Sequence, residues 1–265
     1  SNQLYSNISS NPAFRPFDTG SRAIESALGI QKGVDFEQIN GARKLDETEY
    51  FFNPQLGYLS LFRRLQNDEV LAVSYEYTFN GQVYKVGELT EDYQSRQEDE
   101  LIFLKLLRPA RINTRVPTWD LMMKNVYSLN ANQITRDGFQ LQVIYRDDRT
   151  GLDNPSLLEG AIAKDKPLIR LTGLDNLNPQ NDPAPDGNFD FVEGLTILTD
   201  RGLLVFPVLE PFGSNLEQYF QPGEVVLKDK YIYDTLYRTT QADAELVTKL
   251  NKYFIKGRLT AGSAS

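Results

Sequence analysis

Residues 69–79, EVLAVSYEYTF, followed by Asn80-Gly81 and then by residues 82–89, QVYKVGEL, decide the fold class. In the first run Leu71, Val73, Tyr75, Tyr77 and Phe79 fall on one side, with Ala72, Ser74, Glu76 and Thr78 opposite. That period of two belongs to a strand with one apolar face. Asn-Gly readily takes the positive φ angles of a type I′ turn. The chain is therefore expected to reverse there and return as a hairpin.

Outward from this hairpin the same period recurs. Strands are expected at 56–62 (LGYLSLF), 101–107 (LIFLKLL), 139–145 (FQLQVIY) and 253–259 (YFIKGRL), with shorter ones at 168–171, 195–198, 203–208 and 224–227. Phe139, Leu141, Val143 and Tyr145 would share one face. Three helices are expected. One starts at Thr19 or Ser21, carries Ile24, Ala27 and Leu28 and stops at Gly29. Another opens at Pro117-Thr118 with Trp119, Met122, Met123 and Val126 at helical spacing. The last runs over 241–251, with Thr240 and Asp243 resembling a capping box and Ala242, Leu246, Val247 and Leu250 forming its stripe. Many strands with few helices predict a mainly β chain, an antiparallel, jelly-roll-like β-sandwich capped by short helices. The expected layout is a polar lead-in and short helix over 1–33, a β-sandwich domain over 34–230, and a helix and strand over 231–265. No internal repeat of fixed period stands out.

Composition narrows the chemistry. The 265 residues include no His and no Cys. Ser-His-Asp and Cys-His nucleophiles, zinc ribbons and thiol redox chemistry are therefore excluded. The formal net charge of −8 argues against nucleic acid and anionic lipid as partners. No run approaches the ~20 apolar residues of a membrane helix. The chain does not begin with Met and ends in GSAS after a strand-like run, which reads as a piece of a larger protein. The 146–149 run (RDDR) reads as a solvated turn, and Glu98, Asp99 and Glu100 as a solvent-facing loop. With no carboxylate pair marked out, the expectation is a chain that is not an enzyme.

One stretch has the makings of a cation site. In residues 175–193, DNLNPQNDPAPDGNFDFVE, Asp182 at the first position of a calcium loop places Asp186 fifth, Gly187 sixth, Asn188 seventh, Asp190 ninth and Glu193 twelfth. The pattern sets carboxylate oxygens around a sharp Gly turn, with Asn188 giving its carbonyl and Glu193 both oxygens. Ala184 stands where the third ligand belongs, and Pro, Asp, Asn and Gly also suit an ordinary surface turn. The metal candidates are thus Asp182, Asp186, Asn188, Asp190 and Glu193, with calcium as the cation.

Several segments, in this order, resemble one family. They are GARKLDETEYFFNPQLGYLSLFRRLQNDEVLAVSYEYTFNGQVYKVGEL (41–89), LIFLKLLRP (101–109), PTWDLMMKNVYSL (117–129), FQLQVIYRDD (139–148), PDGNFDFVEG (185–194) and FPVLEPFGSNL (206–216), with NKYFIKG (251–257) beyond. Together they are similar to the SprA/Sov family of gliding-motility and type IX secretion proteins of Bacteroidetes. The resemblance implies a giant outer-membrane translocon that passes secreted substrate proteins to the cell surface and works with other secretion-system subunits. Its pore is a single-chain β-barrel with soluble inserts. Residues 69–79 have the length of a barrel strand, but the nearby charges, helices and Pro-rich loops favour a soluble insert, periplasmic or extracellular. The expected function is non-catalytic participation in that secretion and in gliding motility. The alternative is a carbohydrate-binding β-sandwich module at the cell surface, with exposed tyrosines as sugar platforms.

Overall fold

A computed structural model describes residues 2–54 and 56–262. The chain divides into two compact units, Ser1–Met122 and Met123–Ser265. Their boundary falls inside the stretch expected to be a single β-sandwich domain. The chain is mainly β. Among the described residues all strand pairs are antiparallel, and they form small sheets of two or three strands. Among the described residues no helix is long and apolar enough to cross a membrane.

In the N-terminal unit, helices α1 (Asn2–Ser9) and α2 (Gly20–Leu28) flank a 3-10 turn at Pro12–Phe14. The expected polar lead-in is therefore partly helical. Asn11 caps the 3-10 turn by accepting from the Ala13 N–H, and Phe14 and Arg15 are buried. Gly29 ends α2 in the left-handed conformation, as its sequence predicts. Ile24 on the expected face is buried, whereas Ala27 is exposed.

Strands β1 (Tyr50–Asn53) and β2 (Tyr58–Leu61) form one ribbon. The run 69–79 is then two strands rather than one. β3 (Leu71–Val73) pairs with β6 (Lys105–Arg108), while β4 (Tyr75–Phe79) pairs with β5 (Gln82–Val86). Between β5 and β6 lies the short helix α3 (Thr90–Gln94). The Asn80-Gly81 turn is as expected, with φ of 50° and 77° and Phe79 facing Gln82. The break at Ser74 has a steric cause. Gly87, at φ +87°, brings its backbone against Ser74, where a Cβ would lie 2.8 Å from the Ser74 Cα. At Gly81 nothing lies within 4 Å. Gly87→Ala is therefore expected to lose more stability than Gly81→Ala. Both incur the ~1–3 kcal/mol of a side chain held at unfavourable φ, but only the first also collides. Equal shifts in their urea midpoints would refute the steric cause.

The strand expected over 101–107 shrinks to β6. Residues 101–103 spend their backbone groups elsewhere, Leu101 on Arg15 and Phe103 on Glu88. The helix expected from Pro117 is a single 3-10 turn, Pro117–Leu121, with Met122 already extended.

The C-terminal unit carries β7 (Val126–Ser128), β8 (Ile134–Arg146), β9 (Asp153–Asn154), α4 (Leu168–Leu171), β10 (Ile197–Leu198), β11 (Leu203–Val205), α5 (Val225–Tyr231), α6 (Gln241–Leu246) and β12 (Tyr253–Ala261). Val126 thus begins a strand rather than extending a helix. The sheets run β12-β8-β9 and β10-β11-β7. Leu141, Val143 and Tyr145 of β8 are buried, as the alternation predicts. They join Leu168, Leu171, Leu204, Phe206, Phe212 and Leu216 in one core. Each such side chain is worth about 1.5–3 kcal/mol on burial. Tyr145 packs edge-on against Tyr231 and Tyr253, with ring centroids 4.9 and 5.2 Å away.

Two expected strands in this unit are helices. Residues 168–171 form one turn after Pro167, locked by the Thr172 hydroxyl donating to the Leu168 carbonyl. At 224–227 the Leu227 and Lys228 N–H groups bond the Glu224 carbonyl and start α5. Short apolar runs do not distinguish the two states by pattern. β10 and β11 cover only part of the strands expected over 195–198 and 203–208. α6 is capped by Thr240 as expected but ends at Leu246.

Candidate functional site

The acidic loop organises itself around Asp175, which is fully buried. Its Oδ1 accepts the N–H groups of Asp186 and Gly187 at 2.9 and 3.1 Å, and its Oδ2 accepts from Arg170 Nε at 3.1 Å. The expected ligands lie on separate turns within this frame. Asp190 is buried and accepts from the N–H groups of Asn176 and Leu177. Asp186 accepts from the Asn188 N–H, and both Glu193 oxygens lie 3.1 Å from the Thr199 N–H. The Asp182 backbone is tied to Asn178.

No group of three or more acidic side chains able to hold a metal ion occurs among the described residues. The carboxylates of Asp186, Asp190 and Glu193 are turned to backbone donors, as they would be in an acid-capped turn. Burial raises the pKa of Asp190 against the pull of its two N–H donors, and the nearby Asp175 and Asp186 push the same way. Sequence reasoning left Asp175 out of the ligand set, and it is the residue on which the loop depends.

The 146–149 run ends in a turn with Asp148 and Arg149 exposed, as expected, but one of its residues belongs to a second cluster. Asp147 is buried. Lys230 lies 3.6 Å from it and also pairs with Glu159, which accepts from the Tyr231 hydroxyl at 2.7 Å. The Arg149 N–H and Lys230 hold the carboxyl of Asp147 below its ordinary value. The Lys230 hydrogen bond does the same for Glu159. Burial lifts the adjacent Tyr145 to about 12. This network ties the end of β8 to α5 through charge, which a local reading of RDDR does not reveal.

The N-terminal unit is built differently. Among its described residues only Phe14, Ile24 and Val86 are fully buried apolar side chains. Phe51, Phe52, Phe62, Phe79 and Val83 are each about half exposed or more. What replaces a core is charge and backbone bonding. Glu88, 2% exposed, pairs with Arg15 at 2.7 Å and with Arg96 at 3.2 Å, and accepts from the Phe103 N–H at 2.9 Å. Arg15 also donates to the carbonyls of Leu101 and Ser9 and lies over the Phe103 ring. A cavity of about 390 Å³ opens beside this network, lined by Ser10, Arg96, Asp99 and Glu100 among others.

The same unit repeats one device at an interval of 20 residues. Arg43 clamps Glu49 through two bonds while Glu49 accepts from the Asp46 N–H. Arg63 clamps Glu69 through two bonds while Glu69 accepts from the Gln66 N–H. The sequences RKLDETE and RRLQNDE share R-[KR]-L-x-x-x-E, a repeat that strand periodicity alone passes over. The Arg43 bonds hold the Glu49 carboxyl at about 2. Each clamp leads into a strand, β1 or β3. On the β4-β5 ribbon, Tyr77 stacks on Tyr84 at 5.2 Å and 17°, and on Tyr75 at 6.1 Å and 27°.

No family model matches the chain, and no curated protein does.

Proposed function

We propose that this chain is a non-catalytic part of a giant outer-membrane translocon, contributing polypeptide-docking surfaces to type IX secretion and gliding motility. The reading carries forward the family resemblance of the ordered segments between 41 and 257. The structural observation that supports it is the N-terminal unit, in which two-stranded ribbons present half-exposed Phe51, Phe52 and Phe79. Aromatic side chains are enriched at protein-interaction faces. The partners would be secreted substrate proteins and other secretion-system subunits, with the chain lying outside the lipid as a soluble part of the outer-membrane parent.

The sandwich expected from the strand pattern belongs to the same proposal. Sheets of two or three strands reach sandwich breadth when partner strands extend them. The carbohydrate reading draws on Tyr75, Tyr77 and Tyr84. Their rings are turned on one another, which occupies faces a sugar would stack on.

Deleting residues 41–257 from the parent is expected to reduce surface delivery of type IX substrates while the remaining barrel still reaches the outer membrane. Cell-surface proteomics of the deletion strain measures this. Undiminished delivery with the barrel correctly placed would end the proposal.

A further inference from the structure

We infer that the outer edge of β4 is a strand-addition site, taking an extended segment of a partner polypeptide antiparallel to residues 75–79. The inference deepens the docking reading above by naming the chemistry of what docks.

The turn fixes which backbone groups are offered. Phe79 and Gln82 flank the two-residue turn and face each other, as do Tyr77 and Tyr84, and Tyr75 and Val86. In an antiparallel ladder closed by such a turn these pairs bond inward, so Glu76 and Thr78 direct N–H and C=O away from β5. β4 has no second strand neighbour among the described residues, and Glu76 and Thr78 are exposed. Helix α1 packs against β5, and its Asn2 donates to the Tyr77 hydroxyl. The open edge is that of β4. Of the usual guards it is short and carries one charge, Glu76, but it contains no Pro, Lys or bulge.

The side chains select the occupant. The Tyr84–Tyr77 stack runs across the ribbon and reaches the β4 edge on the face that also carries the exposed Phe79. The next rung belongs to an added strand, which places an aromatic or β-branched residue beside Tyr77. On the opposite face Glu76 already has Lys85 as its neighbour within the ribbon. A second basic or hydroxyl residue suits its other side, and an acidic one is repelled. The partner is therefore an extended segment alternating apolar with basic or Thr residues, held by main-chain bonds and selected by alternate side chains.

The test uses the full chain and a synthetic nine-residue peptide alternating Tyr or Val with Lys or Thr. A second peptide of the same sequence is N-methylated at alternate residues, so that one edge has no donors. Hydrogen exchange at the Glu76 and Thr78 amides is the readout. The unmethylated peptide is expected to slow both amides at least about tenfold, and the methylated one to leave them unchanged. Thr78→Pro removes one outward N–H and is expected to abolish the effect while β8 stays protected from exchange. Three results would overturn the inference. They are no slowing at saturating peptide, equal slowing by both peptides, and slowing without peptide that grows with protein concentration, the mark of a second copy on the edge. The peptide result and the secretion phenotype are independent, so failure of one does not read as failure of the other.

Discussion

Glu88→Ala is expected to unfold the N-terminal unit while the C-terminal unit remains folded. Glu88 holds two guanidinium groups and one backbone N–H at a position that is 2% exposed. Removing it strands Arg15, itself 6% exposed, as a buried cation without its counter-charge. Breaking a buried pair in this way costs about 3–5 kcal/mol. The unit has little to offset such a loss, because three fully buried apolar side chains supply only about 1.5–3 kcal/mol each before conformational entropy is subtracted.

Hydrogen exchange mass spectrometry resolves the two units. Peptides covering β4, β5 and β6 should lose protection, while those covering β8 and β12 keep it. Glu88→Gln keeps an acceptor for the Phe103 N–H and should fall between wild type and Glu88→Ala. Arg43→Ala removes a clamp of the same chemistry at an exposed position and should leave protection nearly unchanged. Unaltered exchange in Glu88→Ala would show that the apolar surface, and not this charge network, holds the unit together.

The strands that were legible in advance are those whose alternation is long enough to outweigh local competitors. β8 carries its apolar residues at 139, 141, 143 and 145, and the β4-β5 hairpin announces itself through Asn80-Gly81. What escaped was set by contacts distant in sequence. The split of residues 69–79 at Ser74 depends on Gly87, whose backbone approach from beyond the turn has no signature within the run. Residues 168–171 and 224–227 are apolar enough for either state, and only the packing of Leu168, Leu171 and Leu227 against the core decides for helix. Arg15 and Asp147 look like surface charges because their partners, Glu88 and Lys230, lie more than 70 residues away. In the acidic loop the spacing of Asp182, Asp186, Asp190 and Glu193 was legible, but the direction each carboxylate faces was not. That direction is set by the backbone N–H groups of Asn176, Leu177, Asn188 and Thr199, which the spacing argument had no reason to weigh. The repeated Arg–Glu clamp was visible as R-[KR]-L-x-x-x-E and needed a search for charge pattern rather than for apolar period.

Asp175→Ala is expected to cost about 3–5 kcal/mol, since it removes a carboxylate at a fully buried position that three donors share. Arg170 is partly exposed and can turn to water. The larger share of the cost therefore falls on the Asp186 and Gly187 N–H groups, which lose a charged acceptor. Asp175→Asn retains an oxygen for them and should lose distinctly less. Denaturant midpoints of the three proteins give this order, with exchange in residues 175–193 showing where the loss is felt. The same measurement decides the cation reading. A site with a Kd of 0.1 mM would stabilise the wild type by about 2.7 kcal/mol at 10 mM calcium, through preferential binding to the folded state. With the carboxylates of Asp186, Asp190 and Glu193 committed to backbone donors, calcium is expected to leave the midpoint unchanged. A calcium-dependent rise that vanishes in Asp186→Ala would instead mean that these carboxylates turn inward on a metal. Asp175 would then be the frame of a binding loop rather than of a plain turn.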